Sequence, residues 1–192
     1  MPLRVSTRPP LPMVTLSLWY TPLAKQSTTL VELALFGILG ALTFGLKVVM
    51  AGLPNIEPVS LMVLLFGAVF GRKALYPTYV YVAMEFFLYG LNLWSINYLY
   101  VWPILALIGW LMRKNASAWV WALTSGAFGL FFGMLCAPVY VVINGWAFAV
   151  SWWISGIPFD LLHGAGNFVI ALVLFVPLRK VVERMYGKMC PT

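Results

Sequence analysis

The most telling scarcity in this 192-residue chain is charge, since only 9% of its residues are Asp, Glu, Lys or Arg. Soluble domains are about one quarter charged, whereas 62% of the residues here are hydrophobic. This composition excludes a soluble globular domain. The apolar residues form long continuous runs rather than an alternating pattern, which favours membrane-spanning helices over a closed β-barrel.

Cysteine is also scarce, and a phosphate-binding loop is missing. Cys136 lies in an apolar run and Cys190 in a basic tail, so we expect no disulfide between them. The segment 67–73 has the wrong glycine spacing for a phosphate loop and an Arg before its Lys. We therefore expect no cofactor, and any ATP must be hydrolysed by another chain.

Six apolar segments predict an all-α membrane protein, a bundle of six transmembrane helices in one domain over 30–184. Residues 1–29 are rich in proline and predict an irregular cytoplasmic tail, and residues 185–192 are expected to form a cytoplasmic tail as well. The second segment is short for a full crossing. The predicted spans are 30–53, 58–71, 74–91, 98–112, 118–143 and 157–178.

The positive residues predict the orientation of these spans. They form short groups before the first span, at 72–73, at 113–114 and after the sixth span, and the other connections contain no Lys or Arg. By the positive-inside rule both termini are cytoplasmic, and the connections 52–57, 92–97 and 144–156 face outside. Because the groups are short and scattered, the net charge of +7 does not indicate nucleic-acid binding.

With this orientation, nearly all polar side chains within or beside the spans fall in the outer half of the membrane. Ionisable groups at such depth cost about 2.5 to 3.5 kcal/mol each, so a cluster of them usually lines a cavity or is internally paired. We expect no such cluster in the inner half, and therefore a pocket that opens outward. The outer residues are Lys47, Asn55, Glu57, Glu85, Asn92, Asn97, Asn144, Asp160, His163 and Asn167.

The sixth span carries the sharpest local pattern. Asp160, His163 and Asn167 are spaced three and four residues apart, which places them on one helical face. This face either contacts a ligand or forms a hydrogen-bond cluster between helices, with Gly164 and Gly166 allowing close packing.

Aromatic residues crowd the predicted outer side. An interfacial belt would explain most of them. Trp146, Trp152 and Trp153 fall in the predicted outer loop 144–156, where they could instead cap a ligand with a flat ring.

Small residues recur every four positions on the first span, at Gly37, Ala41 and Gly45. Such a stripe lets another helix approach closely, either within the bundle or from a partner.

The six-span plan, this stripe, the segment 53–59 (LPNIEPV) and the segment 156–167 resemble the substrate-binding S components of energy-coupling factor transporters. The resemblance implies a vitamin or micronutrient importer of a prokaryotic cell membrane, working with a transmembrane coupling subunit and two cytoplasmic ATPases. Gly37, Ala41 and Gly45 would then dock the coupling subunit. Substrate would be held near the outside by Asn55, Glu57, Glu85, Asn92, Asn97, Trp146, Asp160, His163 and Asn167.

The family's metal importers carry a histidine close behind the first methionine, where this chain has Pro2 and Leu3. The resemblance therefore implies an organic substrate rather than cobalt or nickel, and no metal site is expected. Glu57, Glu85 and Asp160 against Lys47 favour a neutral, zwitterionic or cationic compound with a ring.

Two alternatives remain. The segment 125–129 (SGAFG) faintly resembles the nucleophile motif of rhomboid intramembrane proteases, with His163 as the base, but the predicted topology puts Ser125 and His163 at different depths. A Ser and His pair must come within about 3.2 Å to share a proton. The other alternative is a structural scaffold.

Overall fold

The computed structural model describes residues 28–53 and 55–190, and every regular element among them is helical. The expected tail 1–29 therefore lies outside the described residues except for its last two positions. The α-helices are α1 (Leu30–Val49), α2 (Val59–Phe70), α3 (Leu75–Tyr89), α4 (Leu93–Leu111), α5 (Ala118–Leu130), α6 (Phe132–Asn144) and α7 (Trp146–Met189). A short 3-10 helix, Gly71–Ala74, joins α2 to α3.

Helix α1 begins at a capping box. The Thr29 hydroxyl accepts from the backbone N–H of Glu32 at 3.2 Å, and the Glu32 carboxylate accepts from the backbone N–H of Thr29 at 2.9 Å. The two residues satisfy each other's free backbone donors, which fixes the first turn of the helix.

The described residues contain five helical segments that are long and apolar enough to cross a membrane. One of them, Val59–Tyr89, includes α2, the 3-10 helix and α3. The chain is therefore an all-helical protein with several apolar helices of membrane-crossing length, as the composition predicted.

Helix α2 runs antiparallel to its neighbours α1 and α3. Ion pairs join Glu32 to Lys73 near the beginnings of α1 and α3, and Lys47 to Glu85 near their ends. These two helices are therefore parallel, and the chain between them must return in the opposite direction. The reversal falls at Gly71, whose φ of 59° is in the region that favours glycine.

Helix α2 is the centre of the bundle, since all of its residues except Val69 are buried. It packs closely on α4, where Gly67 and Gly109 lie face to face. A Cβ on Gly109 would lie 2.5 Å from the Leu64 carbonyl oxygen. The 12 residues of α2 are thus enclosed by their neighbours along the whole helix.

Helices α5 and α6 pack antiparallel along α7 as one long hairpin. Trp121 stacks on Phe175 with ring centroids 4.1 Å apart, and farther along Tyr140 stacks on Trp152 at the same distance. The hairpin turns at Gly145, whose φ is 83°. At the base, Arg179 donates to the carbonyl oxygens of Arg113 and Asn115 at 2.7 and 2.9 Å.

One sequence-based boundary was wrong because α7 is longer than expected. Residues 146–156 are helical rather than an outer loop, since α6 packs against them and Gly145 alone makes the turn. At the other end the helix continues through Met189, past the predicted end of the sixth span at residue 178.

The two ends of the bundle are named here by one residue each. The Asn55 end holds the α1–α2 connection and the Lys47–Glu85 pair, and the Arg113 end holds the α4–α5 connection and the Glu32–Lys73 pair. Glu32 is 4% exposed and accepts from Lys73 Nζ at 2.7 Å and from the Tyr186 hydroxyl. The expectation that this end lacks a polar cluster was wrong, because folding brings two distant polar side chains to Glu32.

Candidate functional site

An ion pair marks the Asn55 end of α1 and α3. Lys47 Nζ lies 2.8 Å from each carboxylate oxygen of Glu85, and the Glu85 side chain is 4% exposed. The ammonium group is also 5.4 Å from the ring centroids of Tyr89 and Tyr98. Glu85 is thus an internally paired acid whose charge is satisfied by Lys47, and the aromatic faces in turn stabilise the Lys47 ammonium group.

Buried polar atoms without a hydrogen-bond partner among the described residues form the centre of the candidate site. Five of them belong to what we name the Asp160 cluster, and the sixth is Ser125 Oγ. The cluster consists of the Tyr81 hydroxyl, Asn97 Nδ2, Trp102 Nε1, Asp160 Oδ2 and His163 Nε2.

Aromatic contacts connect the members of the cluster on different helices. The Tyr81 ring meets the Trp102 ring edge to face at 5.9 Å, and Phe132 lies 5.5 Å from Trp102. Phe132 in turn meets the His163 ring at 4.9 Å. Tyr81, Trp102 and His163, on α3, α4 and α7, are therefore linked by one chain of packed rings, and Asp160 joins it at Gly133, next to Phe132.

One atom of the Asn97 side-chain amide has no hydrogen-bond partner, whichever way its oxygen and nitrogen are assigned. The Tyr100 hydroxyl lies 2.8 Å from Asn97 Oδ1 and 2.9 Å from the Leu135 carbonyl oxygen. Asn97 is fully buried. A flip of the amide would exchange oxygen and nitrogen and leave the oxygen unpaired instead. Unpaired buried polar atoms are rare in proteins and call for an explanation.

The polar face predicted on α7 lies inside the bundle, because Asp160, His163 and Asn167 are all buried. Asp160 Oδ1 accepts from the backbone N–H of Gly133 at 3.0 Å, while Oδ2 is unpaired. Asn167 Nδ2 donates to Ser60 Oγ at 2.9 Å. Asn167 therefore links helices, whereas Asp160 and His163 each keep a polar atom available.

Glycines on the facing helices let α7 bring these side chains inside. A Cβ on Gly133 would lie 2.5 Å from Asp160 Oδ2, and one on Gly129 would lie 2.8 Å from Asn167 Nδ2. No larger residue fits at either position without moving the polar face. Gly129 of α5 and Gly133 of α6 thus leave the space that the Asn167 and Asp160 side chains occupy.

The α1–α2 connection adds two of the expected residues. Asn55 adopts a φ of 56° and its Nδ2 lies 3.5 Å from the Phe159 carbonyl oxygen, next to Asp160. Burial raises the pKa of Glu57 to about 6, an effect that the charge of Lys47 opposes and that of Glu85 reinforces. Glu57 therefore lies within electrostatic reach of the ion pair.

The remaining expected residues do not join the cluster. Asn92 is exposed, and its Oδ1 accepts from the backbone N–H of Ser95 at 2.9 Å, which makes it the N-cap of α4. Trp146 is 75% exposed and begins α7 at the tip of the hairpin. The structure gives the first a structural role and leaves the second far from the buried polar atoms.

Sequence reasoning missed Tyr81 as an ordinary apolar-run residue, and counted Trp102 only among the aromatic residues of the predicted outer side. Tyr81 precedes Glu85 by four positions, and Trp102 follows Tyr98 by four, so each shares a helix face with a residue of the site. That spacing was the available signal.

Three further expectations concern other residues. Ser125 Oγ and His163 Nε2 each lack a partner, so they form no hydrogen-bonded pair with each other.

Within the described residues no group of three His, Cys, Asp or Glu side chains could hold a metal ion. A Cβ on Gly37 or Gly45 would meet nothing within 4 Å, and Ala41 is exposed, so the small-residue stripe faces away from the bundle.

Comparison with protein-family models, with curated proteins and with solved structures gave no match to this chain.

Proposed function

We propose that this chain is the substrate-binding subunit of an energy-coupling factor importer and captures a small organic solute of the vitamin or micronutrient class. The observation that carries the proposal is the Asp160 cluster. Five buried polar atoms on α3, α4 and α7 have no hydrogen-bond partner in the described protein, and packed aromatic rings link three of their side chains. Each such atom costs about 1 to 3 kcal/mol when unsatisfied, which a bound polar solute would recover.

The chemistry of the cluster suits a ring-bearing solute with both donors and acceptors. Trp102 Nε1 donates only, Asp160 accepts when ionised, and Tyr81 can do both. Because Lys47 neutralises Glu85, the acids left for a ligand are Glu57 and Asp160. This balance favours a neutral or cationic solute over an anionic one.

The proposed topology has six crossings with both termini in the cytoplasm. Its support is the reversal at Gly71, which allows α2 and α3 to cross separately, and the gathering of basic residues at the Arg113 end. Lys73, Arg113 and Arg179 all lie there, as the positive-inside rule expects of a cytoplasmic face. The Asp160 cluster then lies toward the outside.

The proposed partners are a transmembrane coupling subunit and two cytoplasmic ATPases. Support comes from the stripe of Gly37, Ala41 and Gly45, which leaves the surface of α1 smooth, while Gly40 on the other face packs against α3. A Cβ on Gly40 would lie 2.6 Å from the Pro77 carbonyl oxygen. One face of α1 thus serves the bundle, and the other suits a docking helix.

A ligand screen followed by an uptake assay tests this function. Purified protein in detergent is heated with each member of a panel of water-soluble vitamins and their precursors. A true substrate at about 100 times its Kd should stabilise the fold by about 2.7 kcal/mol. Cells should accumulate that compound only when the coupling subunit and both ATPases are present. A panel without a stabilising compound, or uptake without the ATPases, would contradict the proposal.

A further inference from the structure

A second candidate site lies on the lateral surface of the bundle, in the groove between α3 and α4. It is a groove of about 930 Å³, near the upper end of the ~300 to 1,000 Å³ range for small-molecule pockets. Its walls are almost wholly apolar and include Tyr76, Tyr79, Ala83, Pro103, Leu107 and Trp110.

The groove begins at the Arg113 end and runs along one leaflet. Arg72 lines its mouth, and a Cβ on Gly71 would lie 3.3 Å from Trp110 Nε1 and 3.6 Å from an Arg113 guanidinium nitrogen. From Arg72 to Ala83 the helix rises about 16 Å, close to the ~15 Å half-thickness of a bilayer core. Two guanidinium groups and an indole N–H thus stand at the headgroup level of an apolar slot.

No acidic side chain of the chain is left to neutralise these arginines. The chain has five Asp and Glu residues. Glu32, Glu85 and Glu183 pair with Lys73, Lys47 and Arg179. The other two, Glu57 and Asp160, belong to the Asn55 end. Arg72 and Arg113 therefore offer positive charge to an external anion.

The floor of the groove is built to face hydrocarbon. Pro103 has no backbone N–H, which would leave the Leu99 carbonyl oxygen without its helical donor. The Tyr79 hydroxyl donates to that oxygen at 3.0 Å. A backbone polar group exposed to lipid would cost several kcal/mol, so this bond keeps the groove compatible with an acyl chain.

We propose that the groove binds one anionic phospholipid, with its phosphate at Arg72 and Arg113 and an acyl chain between α3 and α4. Charge complementarity and the length of the slot favour a lipid over a partner helix, because a phosphate forms strong charge-assisted hydrogen bonds with guanidinium groups and an acyl chain matches an apolar slot about half a bilayer core in length. The assignment to the cytoplasmic leaflet rests on the proposed orientation, but the binding itself does not.

The test is retention of phosphatidylglycerol against phosphatidylcholine by the full chain, measured by native mass spectrometry after release from detergent. The Arg72→Gln/Arg113→Gln variant should retain phosphatidylglycerol about 30-fold less well, since each basic residue near the surface contributes roughly fivefold in anionic-lipid affinity. Lys180→Gln/Lys188→Gln is the matched control, because it removes the same charge from exposed positions of α7.

A third variant tests the apolar part of the site. Ala83 is exposed and lines the groove, so Ala83→Trp fills the slot without altering charge or the packed interior. It should lose phosphatidylglycerol retention while its thermal unfolding in lipid-free detergent stays unchanged. An equal loss of phosphatidylglycerol retention in the Lys180→Gln/Lys188→Gln control would mean that retention depends only on overall charge, and would overturn the proposed site. So would full retention in Ala83→Trp, or a crosslink from position 83 to a partner protein in place of lipid.

Discussion

Lys47 and Glu85 form a bidentate ion pair across α1 and α3, with Nζ 2.8 Å from both carboxylate oxygens. The Glu85 side chain is 4% exposed, and Lys47 is the cation that neutralises its charge. Removing one member of a buried pair typically costs about 3 to 5 kcal/mol, whereas replacing both with apolar residues is often nearly neutral.

Lys47→Met is therefore expected to lower the free energy of unfolding by about 3 kcal/mol, because it leaves Glu85 buried and unpaired. The double variant Lys47→Met/Glu85→Leu should recover most of that loss. Chemical unfolding of both variants and of Glu85→Leu in detergent measures the interaction free energy between Lys47 and Glu85. Strictly additive losses would mean that the two residues act independently and that Glu85 is not held by Lys47.

Glu57 should make stability depend on pH in the weakly acidic range. Its pKa rises from 4.5 to about 6 on folding, so the folded protein holds the proton more tightly than the unfolded chain. The stabilisation is complete below pH 4.5 and is lost as pH rises through 6, by about 2 kcal/mol. The difference in unfolding free energy between the native protein and Glu57→Gln should follow this course. A difference that does not change between pH 4 and 7.5 would contradict it.

The proposed topology predicts which connections face the cytoplasm. Reporter fusions ending at Arg72 and at Lys114 should report the cytoplasmic side, and a fusion ending at Gly145 the outer side. The Arg72 fusion is the critical one, because it decides whether α2 and α3 are separate crossings. An outer-side signal from the Arg72 fusion would contradict the six-span arrangement, and with it the outward-facing site.

The two faces of α1 give a matched pair of glycine variants. Gly37→Leu meets open space and should raise the free energy of unfolding by up to about 1 kcal/mol through helix propensity. It should nevertheless abolish uptake while the isolated subunit still binds substrate, since a bulky side chain keeps the coupling subunit away.

Gly40→Leu is the comparison for this pair. Its side chain would collide with Pro77 and Val80, and we expect misfolding together with loss of binding. If Gly37→Leu transports normally, the stripe is not a docking face.

Much of the fold could be predicted from the sequence, because the apolar runs and basic pairs are local signals. The continuation of α7 through Pro158 could not, since a proline and several small polar residues normally indicate a loop. Packing against α6, as in the Tyr140 and Trp152 stack, overrides that local preference.

The polar face of α7 could be predicted because its signal is also local. Asp160, His163 and Asn167 share a face by spacing alone, and all three are buried. The Lys47–Glu85 pair joins residues 38 positions apart, and no local pattern reports such a contact. The contacts of Glu32 with Lys73 and Tyr186 could not be predicted for the same reason.

Calorimetry on one matched pair of α4 variants tests the central claim most directly. With the ligand identified by the panel, Asn97→Ala should weaken binding by roughly five- to 150-fold, because it removes a buried amide of the Asp160 cluster. Asn92→Ala, five residues earlier on the surface of the same helix, should bind with unchanged affinity. Asp160→Asn is the companion variant, since it keeps the oxygen that accepts from Gly133. Thermal unfolding of each ligand-free variant serves as the control for folding. Normal affinity in both Asn97→Ala and Asp160→Asn, in protein that folds, would contradict the account.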